Sequence, residues 1–375
     1  MMTATNKNAV DKGSYPHFML KEIMEQPEVL RRTLAKGIAS IEQGQLSPEY
    51  GDLRLGKYQK VLVLACGTAY HAGLVGKYFM EKLARVPVTV EQAAEFRYTD
   101  SFVDPDTLVL VISQSGETGD TLAAMREAKS KGGYLVAITN VAGSTIAREA
   151  HRVINTVAGA EISVASTKAY MAQLATLYLL GLQLAMDRGR LGFKDAVPYL
   201  KAMKKIPEQV EQLLAEQATV KEWAGRLAGN EHAFFLGRGL DAAVAMEGSL
   251  KLKETTYIHA EAYSAGEFRH GPIALIEEGI PAVILATQPE LVGYTVPVME
   301  ELKSRGAWII GILGADTGQA ADCCDYRMIL PATLPEFTPM PAVIPLQLLA
   351  YYTACARGND VDQPRHLVKS VKDVK

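Results

Sequence analysis

The chain has 375 residues, a formal net charge of −3 and 22% charged side chains. That length exceeds what one core commonly fills, so two domains are expected, and the lack of any basic block or arginine stripe argues against a nucleic-acid partner. The cysteines Cys66, Cys323, Cys324 and Cys355 have neither zinc-ligand spacing nor the density of a disulfide scaffold, which points to a reducing, cytoplasmic setting.

In chain order, residues 1–49 read as a linker followed by lead-in helices. The opening "MMTATNKNAVDKGSYPHF" has no apolar core and is no secretory signal. From Lys60, apolar strand-like runs alternate with helix-like runs: "KVLVLAC", "VPVTVE", "DTLVLVIS", "GYLVAITN" and "HRVINTV". Such alternation predicts a parallel sheet flanked by helices, here a first domain over 50–188. Ala169 to Met186 carries no charge, but it is short for a bilayer span and holds two glutamines, so a buried helix is expected rather than a membrane segment. Residues 189–230 form a charged helical connector, 231–363 a second domain and 364–375 a tail.

The second domain repeats the first. "VLVLACGTAYHAGLVGKYFME" is echoed by "HAFFLGRGLDAAVAMEGSLKL", and the charged helix ends "REAKSKGG" and "EELKSRGA" coincide closely. The copies part at one turn, where Ser113-Gln114-Ser115-Gly116-Glu117-Thr118 stands against Ala286-Thr287-Gln288-Pro289-Glu290-Leu291. In open parallel sheets ligands bind beyond the carboxyl ends of the strands, and a helix N-terminus suits a phosphate. Ser113, Ser115 and Thr118 add hydroxyl donors there, and Gly116 lets backbone come close. A plain N-cap would need only one hydroxyl. Neither a P-loop nor a convincing dinucleotide fingerprint is present, so a small phosphorylated metabolite is the expected ligand.

Five stretches, "ACGTAYHAG", "SQSGETGDTL", "EISVASTKAY", "LKLKETTYIHAEAYSAGEFRHGP" and "DVDQPRHLVKSV", resemble the isomerase half of the glutamine–fructose-6-phosphate aminotransferases (glucosamine-6-phosphate synthases). The likeness runs in order and spacing from Gly13 onward. It implies two tandem SIS (sugar isomerase) domains, each a parallel sheet between helices (three-layer α/β/α). It further implies conversion of fructose 6-phosphate and ammonia to glucosamine 6-phosphate in a homodimer, without a cofactor or metal. By the same resemblance Ser113, Gln114, Ser115 and Thr118 would hold the phosphate, Val164 and Ser166 would line the sugar, and Thr68 would also bind the substrate. The family usually has Ser after "CGT"; Ala69 stands here, so one hydroxyl is missing.

Aldose–ketose chemistry moves a proton between C1 and C2, and a partly desolvated carboxylate is a suitable carrier. Glu254 matches the family's proton-transfer glutamate, with Lys251 one turn earlier as its partner; from residues alone the pair reads equally well as a surface i,i+3 ion pair. His270 matches the ring-opening histidine, supplied across the dimer interface. His259, Glu261 and His270 form no closed metal-ligand set, and His259 and Glu261 read as loop supports. Lys369 falls on the family lysine that engages the sugar carbonyl as a Schiff base, with Val368 beside it as part of a lid. The sequence after Val371 departs from the common family ending.

Intact synthases begin with a glutaminase whose nucleophile is an N-terminal cysteine, whereas the first cysteine here is Cys66. The expectation is therefore an excised isomerase domain, or a stand-alone form that uses free ammonia. The alternatives are a glucosamine-6-phosphate deaminase, which runs the same chemistry backwards, and a non-catalytic sugar-phosphate sensor. Joint presence of Glu254, His270 and Lys369 weighs against the sensor.

Overall fold

The computed structural model describes residues 11–316 and 318–371; the start of the expected linker, residues 1–10, and the end of the expected tail, residues 372–375, lie outside the described residues. In chain order the main elements are α1 (Phe18–Met24), α2 (Gln26–Gly37), β1 (Lys60–Ala65), α3 (Thr68–Ala84), β2 (Val88–Gln92), β3 (Thr107–Ser113), α4 (Gly119–Ser130), β4 (Tyr134–Thr139), β5 (Arg152–Asn155) and α5 (Lys168–Asp187). There follow α6 (Phe193–Ala215), α7 (Gln217–Leu227), β6 (His232–Gly237), α8 (Leu240–Thr256), β7 (His259–Ser264), β8 (Pro281–Ala286), α9 (Pro289–Ser304), β9 (Trp308–Leu313), β10 (Tyr326–Ile329) and α10 (Pro339–Ala356).

The chain forms two compact units that interleave along the sequence. The first unit comprises Glu28–Gly159, Lys168–Lys205 and Ser370–Lys375; the second comprises Met1–Pro27, Ala160–Thr167 and Ile206–Lys369. Residues 160–167 pack with the second unit, although in the sequence they lie inside the first repeat.

In the first unit the sheet order is β2-β1-β3-β4-β5, with every pairing parallel. In the second it is β7-β6-β8-β9-β10, again parallel throughout. The same order in the same chain sequence establishes the duplication. It extends to backbone detail: Gly67 (φ 54, ψ −129) precedes α3 and Gly239 (φ 57, ψ −123) precedes α8, two helices of 17 residues each. Positive φ here turns the chain sharply from strand into helix, which glycine does without Cβ strain.

Central strands explain why the apolar runs are so continuous. All seven residues of β3 and all six of β8 are buried, as expected where helices cover both faces of a parallel sheet. In the first unit α3 packs on α5, and in the second α8 packs on α10. Long and apolar enough to cross a membrane, α5 is nonetheless buried inside its unit at every position from Lys168 to Ala185. It is a core helix, as its uncharged run and glutamines led us to expect.

Candidate active site

In the first unit the chain runs from β1 to β2 on one side of it and then crosses back to β3 on the other, so the switch point of the sheet lies between β1 and β3. Ligands of open α/β sheets bind there, beyond the carboxyl ends of the strands. Thr68 opens the helix that follows β1, and Ser113 closes β3, so both flank this point.

The turn from Ser113 to Thr118 is built by its own hydroxyls. Ser113 Oγ accepts the Gly116 N–H at 3.1 Å and lies 3.0 Å from Thr118 Oγ1. Ser115 Oγ accepts the Glu117 N–H at 3.2 Å and lies 3.2 Å from Ser370 Oγ of the tail. Gly119 N–H, first in α4, donates to Val371 O at 3.0 Å. Gln114 O accepts the Asn140 N–H at 3.1 Å. Gly116 sits at φ 64 with Ser144 and Thr139 packed against its Cα. Thr118 holds the N-cap position of α4 but makes no side-chain cap bond, because its hydroxyl is turned to Ser113. A simple cap therefore does not account for these hydroxyls. Glu117 faces away, its carboxylate accepting the Thr145 N–H at 2.8 Å. Burial works against that charge, but the Thr145 N–H and hydroxyl, with Arg148 nearby, outweigh it and hold the carboxyl below the usual range.

The equivalent turn of the second unit is shorter and closed. Thr287 N–H and Oγ1 donate to the Asp241 carboxylate at 2.8 and 2.5 Å, and Gln288 Nε2 donates to Thr338 Oγ1 at 2.8 Å. Asp241 is 3% exposed; burial pushes its pKa up to about 6, with the Thr287 hydrogen bonds pulling the other way. In this copy a carboxylate of the chain itself thus takes up the backbone and hydroxyl donors just beyond the strand.

The second unit also holds the ionisable cluster. Along α8, Glu247, Lys251 and Glu254 follow at i, i+4 and i+7, on one helix face. Lys251 Nζ lies 2.6 Å from Glu254 Oε2 and 3.5 Å from Glu247 Oε1. Lys251 and Glu247 side chains are 0% exposed and Glu254 is 21% exposed, so this is no surface ion pair. Burial opposes the Lys251 charge, but Glu247, Glu254 and Glu161 outweigh it and hold the ammonium above its usual range.

Nearby in the same unit, the segment 160–167 gathers around Glu161. Its Oε1 accepts the Thr167 N–H at 3.0 Å, and its Oε2 accepts Ser166 Oγ at 3.0 Å and Lys369 Nζ at 2.6 Å. Lys369 donates also to Ser163 O at 2.7 Å. Val164 N–H donates to Asp362 O at 3.0 Å, and Asp362 accepts the Phe18 and Met19 N–H groups that open α1. Ser166 and Lys369 are therefore brought together on one buried carboxylate, with Val164 held to Asp362 in the same segment, while Val368 is 63% exposed.

His270 ends a 3-10 turn, Glu267–His270, and is exposed. Among the described residues no hydrogen bond or ion pair joins it to Lys251 or Glu254. His259 and Glu261 lie on edge strand β7, 3.5 Å apart. No group of three or more His, Cys, Asp or Glu residues suited to a metal occurs among the described residues. Sequence reading passed over Glu161, Glu247 and Asp241. The one signal for Glu161 was its place just before the hydroxyl-rich "SVAST".

A duplicated five-stranded parallel sheet, with a hydroxyl-built turn in one copy and a buried lysine–carboxylate cluster in the other, defines a tandem doubly wound α/β class of protein. The chain belongs to the SIS domain family, whose pattern matches residues 55–183 and 226–357. It is 50% identical over 367 residues to the glutamine–fructose-6-phosphate aminotransferase [isomerizing] of Clostridium tetani, a match covering 98% of this chain and 60% of that protein. The corresponding protein of Symbiobacterium thermophilum is also 50% identical, over 96% of this chain and 60% of its own length. Among solved structures, the C-terminal domain of glucosamine-fructose-6-phosphate aminotransferase from Francisella tularensis is 38% identical with a TM-score of 0.90, covering 95% of this chain and 100% of that one. The chain thus spans 60% of the length of these curated relatives.

Proposed function

We propose that this chain is the sugar-phosphate isomerase part of a glucosamine-6-phosphate synthase, converting fructose 6-phosphate and ammonia to glucosamine 6-phosphate in the cytoplasm. What supports the reading most is the Lys251–Glu254 pair, a largely covered carboxylate 2.6 Å from a wholly buried ammonium, in a chain similar over its length to aminotransferases of that name. The phosphate sits at the Ser113–Thr118 turn, held by Ser113, Gln114, Ser115, Thr118 and the backbone there, and Thr68 also binds the substrate. Val164 and Ser166 contact the sugar. Lys369 forms an imine with C2, which acidifies the C1 proton; Glu254 carries that proton from C1 to C2, and Lys251 fixes the carboxylate in place. Val368 closes over the sugar as part of a lid. His270 opens the sugar ring in a homodimer whose other subunit receives it, which accords with its exposure here.

The test is product identification from fructose 6-phosphate. Without ammonium the expected product is glucose 6-phosphate, and with ammonium glucosamine 6-phosphate. Glutamine-dependent formation of glucosamine 6-phosphate by the purified chain, or no turnover of fructose 6-phosphate under either condition, refutes the reading.

A further inference from the structure

Lys369 cannot act as a nucleophile in the state the structure shows. Its Nζ is 2.6 Å from Glu161 Oε2 and 2.7 Å from Ser163 O, an ammonium held by a carboxylate and a carbonyl. An ammonium has no lone pair, so attack on a carbonyl carbon requires a nearby base. Among the described residues, the carboxylate bonded to Lys369 is that of Glu161.

Three features fit Glu161 for that task. Its side chain is 0% exposed, so bulk water does not compete for the proton. Its Oε1 is anchored by the Thr167 N–H, which aims Oε2 at the lysine. The same Oε2 accepts Ser166 Oγ at 3.0 Å, which links the carboxylate to a hydroxyl assigned to the sugar.

We propose that Glu161 positions Lys369 and carries its protons during imine formation. This rests on the reading of Lys369 as the imine-forming lysine. A proton passes from Nζ to Glu161 Oε2, and the freed lone pair attacks C2 of open-chain fructose 6-phosphate. The C–N bond forms, the carbonyl π pair moves to oxygen, and that oxygen takes the proton from Glu161. A second proton follows the same route from nitrogen to oxygen, the C–O bond breaks and water leaves. The products are a protonated imine and water, and Glu161 ends as the carboxylate it was.

Borohydride trapping tests this, with fructose 6-phosphate as the probe, mass spectrometry locating the adduct and calorimetry reporting substrate affinity. In Glu161→Gln the amide oxygen still accepts the Thr167 N–H, so the loop keeps its anchor while the base is lost. The expected result is an adduct at Lys369 in the wild type and trapping slowed about 10²–10⁴-fold in Glu161→Gln, at unchanged substrate affinity. Glu161→Asp, which keeps a carboxylate at shorter reach, should fall between. Trapping at the wild-type rate in Glu161→Gln overturns the proposal, as does loss of binding in step with trapping, which marks a mere anchor. If Glu161→Gln does not fold, Glu161→Asp decides: slower trapping at unchanged affinity supports the role, and the wild-type rate overturns it. No adduct in the wild type overturns the imine reading itself, a separate result.

Discussion

Replacing Gly116 by alanine tests whether the hydroxyl turn is as tightly determined as its geometry implies. Gly116 has φ 64, in the left-handed region, where an L side chain costs about 1–2 kcal/mol. An added Cβ would also overlap Ser144 Cβ and Oγ and stand 2.9 Å from Thr139 Oγ1. Rotating the Ser144 hydroxyl would not relieve the overlap with its Cβ, and that hydroxyl caps the short helix Thr145–Glu149 by accepting the Ala147 N–H. Overpacking of this kind costs about 1–3 kcal/mol, so the sum is about 2–5 kcal/mol. Gly143→Ala is the matched control: its Cβ meets nothing within 4 Å, and a change within about 0.5 kcal/mol is expected. Both tryptophans, Trp223 and Trp308, lie in the second unit, so the first unit needs another probe. Native-state hydrogen exchange of the Val109–Ile112 amides in β3 supplies it. A loss below about 0.5 kcal/mol in Gly116→Ala, or equal losses in the two variants, would refute the reasoning.

The remaining expectations concern the turn, the proton carrier and the buried acid. Ser115→Ala should weaken fructose 6-phosphate by about 10- to 150-fold in calorimetry; an unchanged affinity would remove Ser115 from the phosphate site. Glu254→Gln should lower solvent-deuterium exchange at C1 and C2 by about 10²–10⁴-fold while sparing substrate binding, and near-normal exchange would assign the base elsewhere. Thr287→Ala should leave sugar-phosphate affinity alone yet cost about 1–3 kcal/mol of stability, because Asp241 loses a donor in a buried site; Trp308 fluorescence in urea reads it. Asp241 has a folded pKa of about 6, above its ordinary 3.8, so between those values the folded state keeps a proton that the unfolded state has lost. Stability from this group therefore falls, by about 3 kcal/mol, as pH rises from about 4 to about 6. Asp241→Asn should flatten that slope, and an unchanged slope would locate it in another residue.

Much of the scaffold could be read from the residues because burial on both faces leaves a plain trace. The runs "KVLVLAC" and "DTLVLVIS" are apolar at successive positions, and both became sheet interior. Edge strand β7, "HAEAYS", did not stand out, since an edge alternates and shows fewer apolar side chains. The hydroxyl turn was legible through contrast with its silent copy. Glu161 was not, for a solitary carboxylate in a loop has no periodicity. Its meaning comes from Lys369, which is 208 positions away in the chain. Asp241 was hidden likewise, since a first-turn aspartate normally reads as a helix-dipole partner.

Asp241 also bears on how a duplicated protein comes to count its ligands. Copying a domain copies its vacancies, and two like vacancies invite two occupants with interacting titrations. On the proposed reading the second vacancy is filled by the Asp241 carboxylate, tethered through one side chain to the helix beside it, at a local concentration that no dissolved anion reaches. It neither washes out nor competes with metabolite levels, so occupancy by sugar phosphate follows a single-site curve on the proposed reading. The second turn is correspondingly short, a tight step into α9 that opens at Pro289 where the first copy has the six residues Ser113–Thr118, and on the same reading α8 carries the chemistry.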